Sequence, residues 1–178
     1  MGNNLKIDNI IPSHIEALTS KLKEAGANIE INEDHIICNK TEKLKKTDIK
    51  TYYFPGFATD LQQPFSVFLT QCQGISKVEE TIYENRFMHV PYLNKMGANI
   101  KVNKTTAKIK GKTELKGKRV KATDLRAGAS LVIAGLIAEG KTIITDAEHI
   151  LRGYEGIIDK LNNVGANLEI KDEIKKGY

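Results

Sequence analysis

Two arrangements of apolar positions alternate along this chain. Between Ala129 and Ala138, Ser130 is the single polar side chain. A helix apolar on every side belongs in the middle of a fold, so this one is expected at the centre with sheets outside it. Thr123 or Asp124 can cap a helix running from Leu125 to Ala138, and Gly140 can stop it. Farther on, Leu151, Tyr154, Ile157, Ile158, Leu161 and Val164 recur at three- and four-residue steps. That spacing predicts one helix, opening near His149 and burying a single stripe. The β-branched run Thr142 to Thr145 reads as a strand, with Ile75 to Ile82 as its counterpart upstream. Further strands are expected at Asn167 to Ile170 and at Lys118 to Ala122.

These elements come from a repeated unit. Lys21-Leu22-Lys23-Glu24-Ala25-Gly26-Ala27-Asn28-Ile29 reappears as Asn94-Lys95-Met96-Gly97-Ala98-Asn99-Ile100, and again as Asn162-Asn163-Val164-Gly165-Ala166-Asn167-Leu168. The three glycines stand 71 and 68 residues apart. Each is expected to end a helix in a left-handed conformation, which glycine adopts without a steric penalty. Thr59-Asp60-Leu61 and Thr123-Asp124-Leu125 open the apolar runs of the second and third copies, whereas the first copy has no such partner. The expected organisation is one incomplete domain with a partial repeat over 1–53 and repeats over 54–122 and 123–178. Such a chain is expected to be the C-terminal part of a longer protein.

Composition narrows the function classes. With 178 residues, 40% of them hydrophobic and 28% charged, the chain can bury a core of its own. Its longest apolar run is too short to cross a bilayer and no signal peptide opens it, so a cytoplasmic protein with no membrane partner is expected. The four histidines share no ligand spacing, and neither metal nor cofactor is expected. Cys38 and Cys72 lie in different repeats and read as buried free thiols. The net charge of +5 is concentrated between Lys101 and Lys121, where nine Lys or Arg face only Glu114. This stretch has no aromatic residue for base stacking, and Ala107-Lys108-Ile109-Lys110 alternates. It reads as the solvated face of a strand hairpin rather than a nucleic-acid site.

Repetition does not explain four polar phrases. Tyr53-Phe54-Pro55-Gly56-Phe57-Ala58-Thr59-Asp60-Leu61-Gln62 puts a carboxylate on the first turn of a buried helix, and Glu84-Asn85-Arg86-Phe87-Met88-His89 follows a strand. Thr123-Asp124-Leu125-Arg126-Ala127-Gly128-Ala129 opens the central helix, and His149-Ile150-Leu151-Arg152-Gly153-Tyr154-Glu155 opens the last one. Arginine offers a planar fork to carboxylate or phosphate, and helix starts add unpaired N–H groups. Arg86, Arg126 and Arg152 are therefore expected to converge on a small, multiply charged anion. The plainer alternative makes Asp60 and Asp124 helix caps and leaves the arginines in surface ion pairs.

The same phrases, in the same order, resemble the UDP-N-acetylglucosamine 1-carboxyvinyltransferases, enolpyruvyl transferases of peptidoglycan synthesis. The resemblance runs from about Ile7 to Ile170. It implies part of an inside-out α/β barrel built from repeated helix-strand units, with the active site in a cleft against a second domain. It also implies transfer of the enolpyruvyl group of phosphoenolpyruvate to the 3-hydroxyl of UDP-N-acetylglucosamine, with release of phosphate. Asp60 matches the family's proposed base and sugar anchor, and Ile82 a position whose backbone helps hold the nucleotide sugar. Arg86 and Arg126 match arginines on the phosphoenolpyruvate carboxylate, and Arg152 one that meets the phosphate.

Ala58 and Leu61 depart from the family's usual proline and methionine. The family's proton-donor cysteine, on a mobile loop, and its Lys-Asn pair have no counterpart here, so the chain alone is expected to be inactive and to need an N-terminal domain as partner. Two other readings stay open: a catalytically dead fragment acting as a binding module, and the related enolpyruvyl transferase of the shikimate pathway.

Overall fold

A computed structural model describes residues 4–171. Strands β1 (Asn4–Ile7), β2 (Ile29–Ile31) and β3 (Ile36–Asn39) form an antiparallel sheet with β3 in the middle, and helix α1 (Glu16–Glu24) follows a short 3-10 turn at Pro12–Ile15. A second sheet runs β4-β5-β7-β6, from β4 (Ile49–Lys50), β5 (Gly74–Glu79), β7 (Thr106–Gly111) and β6 (Ile100–Asn103). Only its β4–β5 pair is parallel. The third sheet is the parallel pair β8 (Arg119–Lys121) and β9 (Ile143–Thr145).

Two helices occupy the centre. Helix α2 (Thr59–Thr70) packs along α4 (Leu125–Ile137), and strands β5, β7 and β9 lie against their outer sides. Leu69, Leu131, Ile109, Leu93 and Met96 are fully buried in one continuous core, where the rings of Phe57 and Phe65 meet edge to face at 5.1 Å. This is an α/β arrangement with buried helices inside and sheets outside. Helix α3 (Val90–Lys95) packs on α4 and β6, α5 (Glu148–Gly153) packs on α4, and α6 (Ile157–Asn163) follows.

The recurring Gly-Ala-Asn phrases adopt matching turns. Gly26, Gly97 and Gly165 all have the expected positive φ, at 93°, 106° and 95°. Asn94 then fastens the turn by donating to the Ile100 carbonyl at 2.9 Å and accepting from the Ile100 amide at 3.0 Å. Asn162 makes the same pair of bonds to Leu168, at 2.9 and 2.8 Å.

Three expectations require correction. The helix expected from His149 onward is broken: Gly156 adopts φ +60° and separates α5 from α6. The break lets α5 lie close on the start of α4, where a Cβ at Gly153 would be 2.3 Å from Cδ1 of Leu125. Residues 167–170 are not a strand. Their counterpart β6 has β7 to pair with, whereas this segment meets no strand among the described residues. Finally, α4 is buried mainly through its first half: Ala127 to Val132 and Ala134 are covered, but Ile133 and Ile137 are each 38% exposed.

The hairpin of β6 and β7 carries Lys101, Lys108 and Lys110 outward while Ala107 and Ile109 point into the core, as the alternation predicts. Cys72 is buried, and desolvation pushes its thiol up to about 11. Cys38 is only partly covered.

Candidate functional site

The starts of the two central helices lie side by side, and this brings the polar phrases together. Asp60 stands in the first turn of α2 and is not its cap. The cap position is Ala58, whose side chain makes no capping bond. The Asp60 carboxylate instead accepts from two arginines. Nη2 of Arg86 lies 2.6 Å from Oδ1, and Nη2 of Arg126 lies 2.6 Å from Oδ2. Hydrogen bonding and charge from Arg126, then from Arg86, hold this carboxyl below its ordinary range despite some desolvation. Half of the Asp60 side chain remains open to solvent, so the cluster faces outward from the helix starts.

Each arginine is held from behind. Arg126 follows Asp124, which is the true N-cap of α4, accepting from the amides of Arg126 and Ala127 at 2.8 Å each. Nη1 of Arg126 donates to the Tyr154 hydroxyl at 2.8 Å, linking α4 to the end of α5. The Arg86 carbonyl accepts from Nε2 of Gln63 at 2.9 Å, and its guanidinium lies 5.0 Å from the Tyr83 ring centroid. Gln63 and Asp60 therefore grip the backbone and the tip of Arg86 from the same helix.

Beneath them His89 is fully buried. Burial lowers its pKa to about 4, although the Asp124 carboxylate and the Arg86 carbonyl favour the protonated ring. The Gln62 side chain on α2 is also fully buried, and neither its polar atoms nor the ring nitrogens of His89 have a hydrogen-bond partner among the described residues.

The structure thus gathers Asp60, Arg86 and Arg126. Arg152 does not join them by a direct bond: its Nε lies 3.4 Å from the Glu148 carbonyl and its Nη2 3.5 Å from Nδ1 of His149, both on its own helix. Ile82 occupies a turn after β5, where its amide donates to Oε1 of Glu80 at 2.9 Å. Sequence reasoning overlooked Glu80, Gln63 and the pairing of Tyr154 with Arg126. Tyr154 was legible as part of an apolar stripe, and nothing in the chain marks its hydroxyl as a partner of a residue 28 positions away. No group of three His, Cys, Asp or Glu that could hold a metal occurs among the described residues. No described helix is long and apolar enough to cross a membrane.

Residues 1–161 match the family profile of EPSP synthase (3-phosphoshikimate 1-carboxyvinyltransferase). The chain belongs to this family. Within it, the chain is 53% identical over 167 residues to UDP-N-acetylglucosamine 1-carboxyvinyltransferase 2 of Bacillus cereus, and 50% identical over 167 residues to the protein of that name from Listeria monocytogenes. These alignments take in 94% of this chain but 39% and 40% of those relatives, so the chain spans about two fifths of their length.

Among solved structures, the enolpyruvyl transferase NikO from Streptomyces tendae superposes with a TM-score of 0.85 over 93% of this chain and 39% of its own, at 24% identity. EPSP synthase from Acinetobacter baumannii gives 0.72 at 16% identity, over 95% of this chain and 40% of its own. At those identities the likeness establishes the enolpyruvyl-transferase fold, with its mixed helices and strands.

Proposed function

We propose that this chain carries one wall of an active site that transfers the enolpyruvyl group of phosphoenolpyruvate to the 3-hydroxyl of UDP-N-acetylglucosamine, releasing phosphate. That reaction commits material to peptidoglycan synthesis, and thereby to cell shape and division, in the cytoplasm. The observation that carries the reading is the pair of arginine forks converging on one half-exposed carboxylate at adjacent helix starts. Two guanidinium groups there can hold the carboxylate of phosphoenolpyruvate. The names of relatives half identical to the chain supply the sugar nucleotide.

In this scheme Asp60 accepts the proton of the sugar 3-hydroxyl as its oxygen bonds to C2 of phosphoenolpyruvate. A proton reaches C3 from an acid outside this chain. Loss of that proton and departure of phosphate then give the enol ether. Arg86 and Arg126 hold the carboxylate, and Arg152 meets the phosphate as it leaves. The turn at Ile82 offers backbone to the nucleotide sugar; because its amide is occupied by Glu80, it is the carbonyl that is offered.

Asp60 is a weak base while both arginines hold it, since general-base catalysis works best near the working pH. An incoming carboxylate that draws the forks toward itself raises the basicity of Asp60 at the moment it is needed. The acid and the lid belong to a further domain, so the chain by itself binds anions without turnover.

Titration of the chain with phosphoenolpyruvate, followed by NMR at the arginine side chains, tests the scheme. Binding lost in Arg86→Ala and Arg126→Ala supports it, and binding unaffected by either change contradicts it. Phosphate release at roughly 1 per second or faster by the chain alone would contradict the division of labour. A second reading, a binding module with no turnover in any setting, predicts no activity even when the remaining domain is supplied. The shikimate-pathway reaction is the poorer fit because the relatives at 50% identity and above carry the UDP-sugar name.

A further inference from the structure

One buried carboxylate plays no part in the chemistry above. Glu80 follows the last residue of β5 and is 1% exposed. Four donors meet it, all neutral. Oε1 accepts from the Thr51 hydroxyl at 2.9 Å and from the amides of Ile82 and Tyr83 at 2.9 and 3.1 Å, while Oε2 accepts from the Thr59 hydroxyl at 2.9 Å. A second set of bonds locks the same knot: the Thr81 amide donates to the Thr51 hydroxyl at 2.8 Å, and the Thr81 hydroxyl to the Thr51 carbonyl at 2.5 Å.

The partners of Glu80 are adjacent to the site from two directions. Thr59 is the first residue of α2 and directly precedes Asp60. Tyr83 ends the turn, and its ring lies under the Arg86 guanidinium. Carboxylate and arginine come from segments 26 residues apart in the chain, so their mutual placement depends on how the end of β5 is fixed to the start of α2. The Glu80 side chain is a direct bond between those two segments. The two oxygens of this carboxylate take all four bonds at once, and leaving so buried a group without them is costly.

We propose that Glu80 is a positioning residue of the anion site, setting Arg86 against Asp60 by tying Thr59 to the 81–83 turn. The inference deepens the function proposed above and rests on it for the identity of the site. Glu80 touches no substrate. It acts through Thr59 on the carboxylate and through Tyr83 on the guanidinium, and it aims the Ile82 carbonyl outward by holding the amide inward.

The test uses Glu80→Ala, Glu80→Gln and Thr59→Val in the full chain, with inorganic phosphate as the anion and with the carboxyl titration of Asp60 followed by carbon-detected NMR. Gln can keep all three bonds at Oε1 and donate to the Thr59 oxygen from its amide nitrogen, so it should behave much as the parent does. Ala should bring the Asp60 titration back toward the ordinary carboxyl value and weaken phosphate binding by about two- to thirty-fold, the range for residues that act on a site through others. Faster hydrogen exchange at the Ile82 and Tyr83 amides should accompany it. Thr59→Val breaks only the link to α2 and should reproduce the Asp60 shift even if Glu80→Ala does not fold.

A purely structural Glu80 would lower the melting temperature and leave the Asp60 titration and the phosphate affinity of the folded variants unchanged; that result overturns the proposal. If the parent binds no phosphate, or binds it equally well as Arg86→Ala, the anion site itself is wrong. The Asp60 titration then still decides whether Glu80 sets the ion pair.

Discussion

Arg126 reaches from the first turn of α4 to Asp60 on the first turn of α2, across 66 residues of sequence, and places Nη2 2.6 Å from Oδ2. Arg86 does the same from the other side. One carboxylate thus fills the position between two guanidinium groups that an anionic ligand would fill.

From this it follows that Asp60 and an anion compete. Asp60→Asn removes the internal counter-ion while leaving shape and helix start nearly intact, so phosphate or phosphoenolpyruvate should bind about fivefold more tightly or better, the lower end of usual coupling between sites. In a protein completed with the remaining domain, the same change should reduce turnover by about a hundred- to ten-thousand-fold if Asp60 is the base. Affinity up and rate down is the expected signature, read by calorimetry and a phosphate-release assay. Asn that leaves both unchanged would remove Asp60 from the mechanism.

His89 carries a pH dependence whose sign is set by burial. Its folded pKa is about 4 against an ordinary 6.5, so below 6.5 the unfolded chain takes up a proton that the folded chain refuses. Stability attributable to His89 is therefore complete above pH 6.5, falls as pH drops toward 4, and amounts to about 3 kcal/mol in all. Urea unfolding at steps from pH 7 to 4.5 should show this slope in the parent. In His89→Leu it should be flattened.

The chain announced its centre more clearly than its edges. The apolar run at Ala129 to Ala138 and the capping phrase at Thr123-Asp124 located α4 to within a residue, because both signals are local. Asp60 could also be read as a second such cap since it shares the Thr-Asp-Leu phrase, whereas in the structure its carboxylate pairs with arginines 26 and 66 residues away. Of the three arginines in similar contexts, Arg86 and Arg126 meet at Asp60. Arg152 turns back on its own helix, and no local signal distinguishes it from the other two. Glu80 was unreadable because its partners are a strand end, a helix start and two backbone amides.

Gly153 should resist any side chain. It is the close-approach point of α5 on α4, and a Cβ there would be 2.3 and 2.8 Å from the two methyls of Leu125. Gly153→Ala forces Leu125 aside, with overpacking typically costing about 1–3 kcal/mol. Because Tyr154 is the next residue and holds Arg126, the change should also shift the Arg126 side-chain resonance. A variant with parental melting temperature and spectrum would show that the Leu125 side chain gives way without moving the helices.

Asp124 combines two roles that substitutions can separate. As the N-cap of α4 it binds two amides, and as a charge it favours protonation of His89. Asn caps a helix about as well as Asp, whereas Ala loses the cap at a typical cost of about 1 kcal/mol. At pH 7.5, where His89 is neutral in both folded and unfolded chains, Asp124→Asn should therefore melt close to the parent and Asp124→Ala lower. Both variants lose the carboxylate, so in both the folded pKa of His89 should fall still further below its ordinary value. The loss of stability on acidification should then extend to lower pH than in the parent, equally for the two variants. Melting at pH 7.5 reads the cap, and the lower limit of the pH window reads the charge. If Asn shifted the melting point as much as Ala, the capping bonds would not be what fixes the start of α4. If neither variant moved the window, Asp124 and His89 would not be coupled.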